Sequence, residues 1–224
     1  MAVTEIALLR LKTPELSSSA RSILKQAQQA QSEWSGYPVQ FARQVEDSSY
    51  FYILGGWESI VHHNGEWIKS ETNQKLLAQL KDDVDVEWMF HVDIDVSQHQ
   101  DSSSNRPIDR SPDILKPSTS TIPLDAPVIS VSRYFVEHAK RAEFDTAFNN
   151  GGPYLGAHTT PFTYSGGWRI DKEGDDEEFV LFNGWNKVED HYGFAETEAF
   201  KEFGKIKGAL KGAEIKHVRL ERWE

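Results

Sequence analysis

A ten-residue stretch occurs twice in this chain, and this repeat limits the fold more than any other feature. GWESIVHHNG at residues 56–65 returns as GWNKVEDHYG at residues 184–193, with matched glycine, tryptophan, histidine and glycine at one offset of 128 residues. In both copies an apolar run precedes the stretch, at 50–54 and 179–182, and a segment with helical spacing follows it. Self-similarity at one fixed offset is the signature of a duplicated structural unit.

The two halves also share their predicted order of elements. Alternating apolar residues and helical spacing predict strand, helix, strand, strand, helix and strand in residues 1–97, and the same order in residues 126–224. This is the β-α-β-β-α-β order of ferredoxin-like folds. Residues 98–125 are rich in serine and proline and predict a linker, because so long a loop is unusual inside one compact unit. In the second half, Asn150-Gly151-Gly152 is expected to end the first helix.

The predicted third strands are apolar at every position, so neither face of each sheet tolerates water. We therefore expect an α+β fold in which the two antiparallel sheets face each other and form a barrel, with the helices outside. The gap between the sheets would hold a small molecule. On the last strands, Val92 and Ile94 share a face, as do Val218 and Leu220. We expect these aliphatic faces to meet the helices, which would turn the opposite, histidine-bearing faces into the barrel.

Net charge and composition restrict the kinds of molecule that this protein is expected to bind. The formal charge of −11 and the pI near 5.2 argue against nucleic acid, which requires a basic face. The chain has no cysteine, which excludes disulfides, a thiolate nucleophile and cysteine-bound metal. No apolar run approaches the roughly 20 residues of a membrane span, and no metal-binding motif occurs. These features predict a cytoplasmic protein with a small-molecule partner and no membrane association.

Histidines are the candidate catalytic residues. His63 and His191 lie at matched positions near a predicted helix start, where the helix dipole favours a neutral imidazole that can act as a base. The alternative is that both only bond to nearby backbone and fix the strand–helix corner. His91 and His217, on the last strands, could act as the base instead, or could lie in solvent at the strand ends.

A second set of residues is predicted to bind the substrate. Trp57 and Trp185 end matched strands and would form an aromatic wall, although the large area that tryptophan buries favours the alternative role of filling the core. The remaining candidates are polar side chains with aromatic or cationic groups: Tyr52, Tyr134, Tyr164 and Arg219.

A strand followed by Gly-Trp-Glu-Ser and then by a histidine early in a helix resembles the dimeric α+β barrel superfamily. That superfamily includes the antibiotic-biosynthesis monooxygenases and the stress-responsive A/B barrel proteins, and this chain is similar to a tandem fused copy. The first half matches better, since Glu58-Ser59 is replaced by Asn186-Lys187 in the second. The resemblance implies a cavity for aromatic or polyketide-like molecules, and activity without metal or organic cofactor as a monooxygenase or cyclase. It also implies haem as an alternative, because some relatives bind it.

Two classes of function follow from these observations. The first is an enzyme of specialised metabolism that acts on an aromatic or polyketide-like compound by histidine-assisted proton transfer. The second is a non-catalytic, stress-responsive barrel that binds haem or another ligand. Association of the fused chain into a homodimer stays open.

Overall fold

The computed structural model describes residues 2–13, 15–94 and 122–223. The predicted linker at 98–125 falls outside these residues except for its end at 122–125, where Ile122 is buried in the core. None of the helices in the described residues is long and apolar enough to cross a membrane.

The first half contains four strands, two α-helices and one π-helical segment. In chain order these are β1 (Val3–Leu11), α1 (Ser18–Ser35), β2 (Val39–Gln44), β3 (Tyr50–Trp57), the π-helical segment Val61–Trp67, α2 (Glu71–Leu80) and β4 (Val84–Val92). Helix α1 begins after Ser17, whose hydroxyl accepts the Ala20 N–H, and ends at Gly36, whose φ of 74° suits glycine.

The second half repeats the order with local differences. Its elements are β5 (Val128–Val136), a 3₁₀ turn (His138–Lys140), α3 (Arg141–Thr159), β6 (Tyr164–Trp168), β7 (Glu177–Trp185), α4 (Val188–Phe194), α5 (Glu198–Phe203), a second 3₁₀ segment (Gly204–Ala209) and β8 (Leu210–Leu220).

The expectation that Asn150-Gly151-Gly152 ends a helix is wrong, because α3 continues through these residues to Thr159. The glycines serve close packing instead. A Cβ added to Gly151 would lie 2.7 Å from the Cα of Phe203, and one on Gly152 would lie 2.8 Å from the Tyr164 hydroxyl. The backbone of α5 and the side chain of Tyr164, on β6, therefore approach α3 more closely than a side chain at these positions would allow.

All eight strands belong to one antiparallel sheet in the order β4-β1-β3-β2-β8-β5-β7-β6. The two halves meet where β2 pairs with β8. The two ends of this order also meet, because Val92 pairs with Arg169 and the Ile170 N–H donates to the His91 carbonyl at 2.8 Å. The sheet therefore closes on itself, and each half contacts the other along two seams.

The closed sheet has an interior face and an outer face covered by helices. One core cluster fills the interior with side chains from both halves, including Ile6, Phe90, Val92, Phe182 and Val218. This corrects our assignment of the faces: the aliphatic sides of β4 and β8 point inward, and the histidine-bearing sides lie under the helices. An eight-stranded sheet encloses a space that side chains alone can fill, and here the core cluster packs into it. The pocket that Leu54, Ile122 and Leu124 line is about 20 Å³, smaller than the gap that we expected to hold a small molecule.

Candidate functional site

A hydrogen-bonded chain of three side chains lies on the outer face of the second half. The Nδ1 of His191, on α4, is 2.9 Å from the Nε2 of His217, on β8. The Nδ1 of His217 is 2.6 Å from a carboxylate oxygen of Glu46, which also accepts the His217 backbone N–H. The ring of His191 stacks on Trp185 with centroids 4.5 Å apart. The structure thus brings together the repeated tryptophan, the repeated histidine and the strand histidine.

The first half contains the same arrangement. The Nδ1 of His63 is 2.7 Å from the Nε2 of His91, whose Nδ1 is 2.9 Å from the carboxylate of Asp171. His63 stacks on Trp57 with centroids 4.2 Å apart. The π-helical segment that carries His63 replaces the regular helix that the sequence predicted.

In each of the two hydrogen-bonded chains, the carboxylate comes from the half of the protein that does not supply the two histidines. Glu46 follows β2 of the first half and reaches His217 of the second, whereas Asp171 follows β6 of the second half and reaches His91 of the first. The two seams cause this exchange, because Val45 and Ile170, the residues just before these carboxylates, donate their N–H groups to the His217 and His91 carbonyls. Neither histidine pair would have its carboxylate if the halves were separate.

When both histidines of a pair are neutral, the carboxylate determines which nitrogen of each carries the proton. Because Glu46 can only accept, the Nδ1 of His217 donates to it, and the Nε2 of His217 must accept from the Nδ1 of His191. The Nε2 of His191 is then left with a lone pair. The Asp171–His91–His63 chain fixes the same tautomers in the first half.

Burial keeps both helix-side histidines neutral. Desolvation, followed by the nearby His217, lowers the pKa of His191 to about 4. Desolvation, followed by the nearby His91, lowers the pKa of His63 to about 3. Burial would raise the pKa of Glu46 and of Asp171, but hydrogen bonds from the histidines that they contact outweigh it and lower both values. Burial thus favours the neutral imidazole, which we had expected the helix dipole to do.

Within the described residues, the second half has room for a ligand beside its histidines. A cavity of about 350 Å³ lies between the sheet and the helices, within the roughly 300–1,000 Å³ of typical ligand pockets. His191, His217 and Trp185 line it, together with Ser130 and Asn183. Its remaining walls are largely apolar and aromatic, formed by residues such as Tyr134, Leu155, Leu181, Phe194, Phe200 and Phe203.

In the first half, two side chains fill the equivalent space. Glu5 pairs with Gly55 across β1 and β3, at the place where Ser130 pairs with Asn183 in the second half. The Glu5 carboxylate accepts the indole N–H of Trp57 at 2.8 Å and the amide of Gln31 at 2.6 Å. A Cβ on Gly55 would lie 2.8 Å from the Gln31 amide nitrogen, so this pocket is fully packed.

The other predicted substrate-binding residues do not converge on the cavity as a group. Tyr134 lines it, and burial raises the pKa of that phenol to about 12. Tyr52 lies in the interior core against Trp88, where burial raises its pKa. Tyr164 packs against the glycines of α3, and Arg219 is exposed.

Sequence reasoning missed Glu46, Asp171, Ser130, Asn183 and Glu5. A signal for the two carboxylates was present, because Glu46 and Asp171 follow matched strands at an offset of 125 residues, close to the 126 that separates His91 from His217. The match was not recognised, because one position holds Glu and the other holds Asp, and both lie in segments that otherwise predict turns.

A haem fits this cavity poorly. The donor set is suitable, since His191 presents Nε2 and its other nitrogen is held by a hydrogen bond, as in many metal-binding histidines. However, Lys207 is the only cation among the described residues that line the cavity, and it lies over the Phe200 ring instead of facing inward. Two haem carboxylates would have no further positive partner there. No cluster of three or more potential metal-binding side chains is found in the described parts of the chain.

No known protein family matches this chain, and no curated protein matches it in sequence. Solved structures do share its fold. A candidate monooxygenase from Lactobacillus acidophilus superposes with a TM-score of 0.59 at 11% identity, covering 98% of this chain and 93% of that one. An anthrone oxidase-like protein gives 0.60 at 12% identity, covering 98% and 92%. A chlorite dismutase from Candidatus Nitrospira defluvii gives 0.59 at 8% identity, covering 99% and 92%. At these identities the likeness shows the fold alone.

Proposed function

We propose that this chain is a tandem pair of ferredoxin-like repeats joined into one α+β barrel, and that it is an enzyme acting on a small molecule in the cavity of its second half. One observation carries the proposal: the Glu46–His217–His191 chain ends at the cavity with an unprotonated Nε2. The equivalent chain in the first half ends against Glu5, so it has no place for a substrate.

The walls of the cavity favour a flat aromatic or polyketide-like substrate. Trp185 and three phenylalanines supply large apolar surfaces beside a smaller number of polar side chains, as in typical small-molecule sites. An anthrone oxidase-like protein shares the fold, which is consistent with such a substrate.

The proposed chemistry begins with proton transfer to the Nε2 of His191. A phenol or an activated C–H loses its proton, the new N–H bond forms, and the substrate becomes a phenolate or an enolate. Such an anion can cyclise or react directly with O₂, without a metal or organic cofactor. For anthrone the balanced outcome is anthrone plus O₂ giving anthraquinone plus water, and His191 returns its proton as water forms.

Anthrone is therefore the first probe for this function. We expect the purified protein to accelerate its oxidation, followed by O₂ consumption and by anthraquinone absorbance. His191→Gln should lower the rate by about 100-fold, the lower end of the usual general-base contribution. His138→Gln is the matched control, because the side chain of His138 is 73% exposed, contacts Glu177, and is not among the residues that line the cavity. Equal rates for both variants would contradict the assignment of His191.

Haem binding is the competing function, and it needs no catalytic base. A visible absorption spectrum of the purified protein, and of the protein mixed with hemin, tests it directly. A Soret band that His191→Gln abolishes would replace the proposed function with a haem-based one.

A further inference from the structure

Two of the polar atoms that line the cavity are hydrogen-bond acceptors available to a ligand. The tautomers fixed by Glu46 leave a lone pair on the Nε2 of His191. The second acceptor is the side-chain oxygen of Asn183, which is buried and has no hydrogen-bond partner in the described structure. The amide nitrogen of Asn183 donates to the Gly184 carbonyl at 3.1 Å, which fixes the orientation of the amide.

The groups next to these acceptors are already engaged. The Trp185 indole N–H donates to the Ser130 hydroxyl at 3.0 Å, so it is not available to a ligand acceptor. Lys207 lies at an exposed position over the Phe200 ring. A buried acceptor without a partner costs free energy, and a ligand that donates to it recovers that energy.

The filled site of the first half shows what kind of group can lie beside the histidine. The Glu5 carboxyl lies 3.5 Å from the Nε2 of His63, which has no other partner among the described residues. Burial raises the pKa of Glu5 to about 6, against hydrogen bonds from Trp57 and Gln31, and the carboxyl oxygen that faces the histidine is the one that accepts both of these N–H groups. A ligand oxygen is therefore compatible with the equivalent position in the second half.

We propose that the ligand of the second-half cavity is a hydroxylated aromatic compound, held by donation from one hydroxyl to the Nε2 of His191 and from another to the side-chain oxygen of Asn183. This inference rests on the proposed function for the site, but it concerns binding and not turnover. Asn183 is then a specificity-determining residue, which selects for hydroxyl groups and against apolar or carboxylate analogues.

Isothermal titration calorimetry with four probes tests this selectivity: naphthalene, 1-naphthol, dihydroxynaphthalenes and 1-naphthoate, all under anaerobic conditions. We expect affinity to rise at least tenfold from naphthalene to the best dihydroxynaphthalene, with 1-naphthoate weaker than 1-naphthol. Asn183→Leu keeps the volume but removes the acceptor. It should abolish the gain from the second hydroxyl and leave naphthalene affinity within about twofold.

A second variant protects the test against misfolding. Asn183→Gly installs the residue found at Gly55 and should show the same loss of selectivity. Tighter binding of 1-naphthoate than of 1-naphthol, or unchanged selectivity in a folded Asn183 variant, would overturn the inference. These outcomes are independent of anthrone turnover, so a protein that binds selectively but does not oxidise anthrone would refute the proposed reaction and leave this inference standing.

Discussion

Replacing Glu46 with glutamine removes the negative charge at the carboxylate end of the Glu46–His217–His191 chain and nearly preserves the shape of the side chain. Glu46 receives the His217 ring N–H at 2.6 Å and the His217 backbone N–H at 3.0 Å. With a neutral amide in this place, the carboxylate no longer stabilises positive charge on the histidines as His191 accepts a proton. The amide can also donate to His217, which would reverse the tautomers and place a proton on the Nε2 of His191.

The expected magnitude follows from the contact. Hydrogen bonds to charged groups contribute about 1.5–3 kcal/mol, against about 0.5–1.5 for neutral pairs. The Glu46 side chain is 31% exposed, which screens part of this difference. We therefore expect Glu46→Gln to reduce the free energy of unfolding by about 1 kcal/mol, and to slow anthrone oxidation by about 10- to 100-fold, as partners behind functional histidines commonly do.

Asp171→Asn is the matched control. Asp171 makes the same ring and backbone contacts to His91, with a side chain that is 29% exposed, but the histidines it supports face the filled pocket of the first half. Urea denaturation should show similar destabilisation for both variants, whereas only Glu46→Gln should lower kcat and alter its pH profile. Equal losses of activity in the two variants would mean that the carboxylates act through stability alone, and our reasoning would be refuted.

Two further predictions concern packing and pH. Gly151→Ala should reduce the free energy of unfolding, measured in urea, by about 1–2 kcal/mol, because its Cβ would lie 2.7 Å from the Phe203 backbone. Gly193→Ala is the control and should be neutral or stabilising, because Gly193 has open space around it. The reverse order of stabilities would contradict the packing argument. Since burial raises the folded-state pKa of Glu5 from 4.5 to about 6, its contribution to stability is complete below pH 4.5 and is lost as the pH rises through 6. At 1.36 kcal/mol per pKa unit, the stability of the wild type relative to Glu5→Gln should fall by about 2 kcal/mol between pH 4 and pH 7, and parallel pH profiles would exclude this role.

The repeated stretch was sufficient to predict the α+β class and the order of elements. Local rules explain this success, because the apolar runs before Trp57 and Trp185 and the stripe on α1 have the periods of strands and helices. The same reasoning failed at Gly151, where glycine serves contact with another helix. A residue whose role is set by a distant neighbour carries no local signal of that role.

The histidines could be identified from the sequence, but their chemistry could not. Matched offsets placed His63 with His191 and His91 with His217, whereas the carboxylates that orient them lie more than 75 residues away and come from the opposite half. Only the pairing of β2 with β8, and of β4 with the end of β6, brings these groups together.

The sequence by itself determined the repeated stretch, the periodicity of the strands, and the matched tryptophans and histidines. The tertiary structure alone decided which face of the closed sheet points inward, because both faces are apolar and alternation does not distinguish them. It also decided that one histidine chain faces a cavity and the other does not. The space beside the histidines differs because equivalent backbone positions hold Glu5 and Gly55 in the first half but Ser130 and Asn183 in the second. The volume left at such a site depends on all the neighbours that surround it.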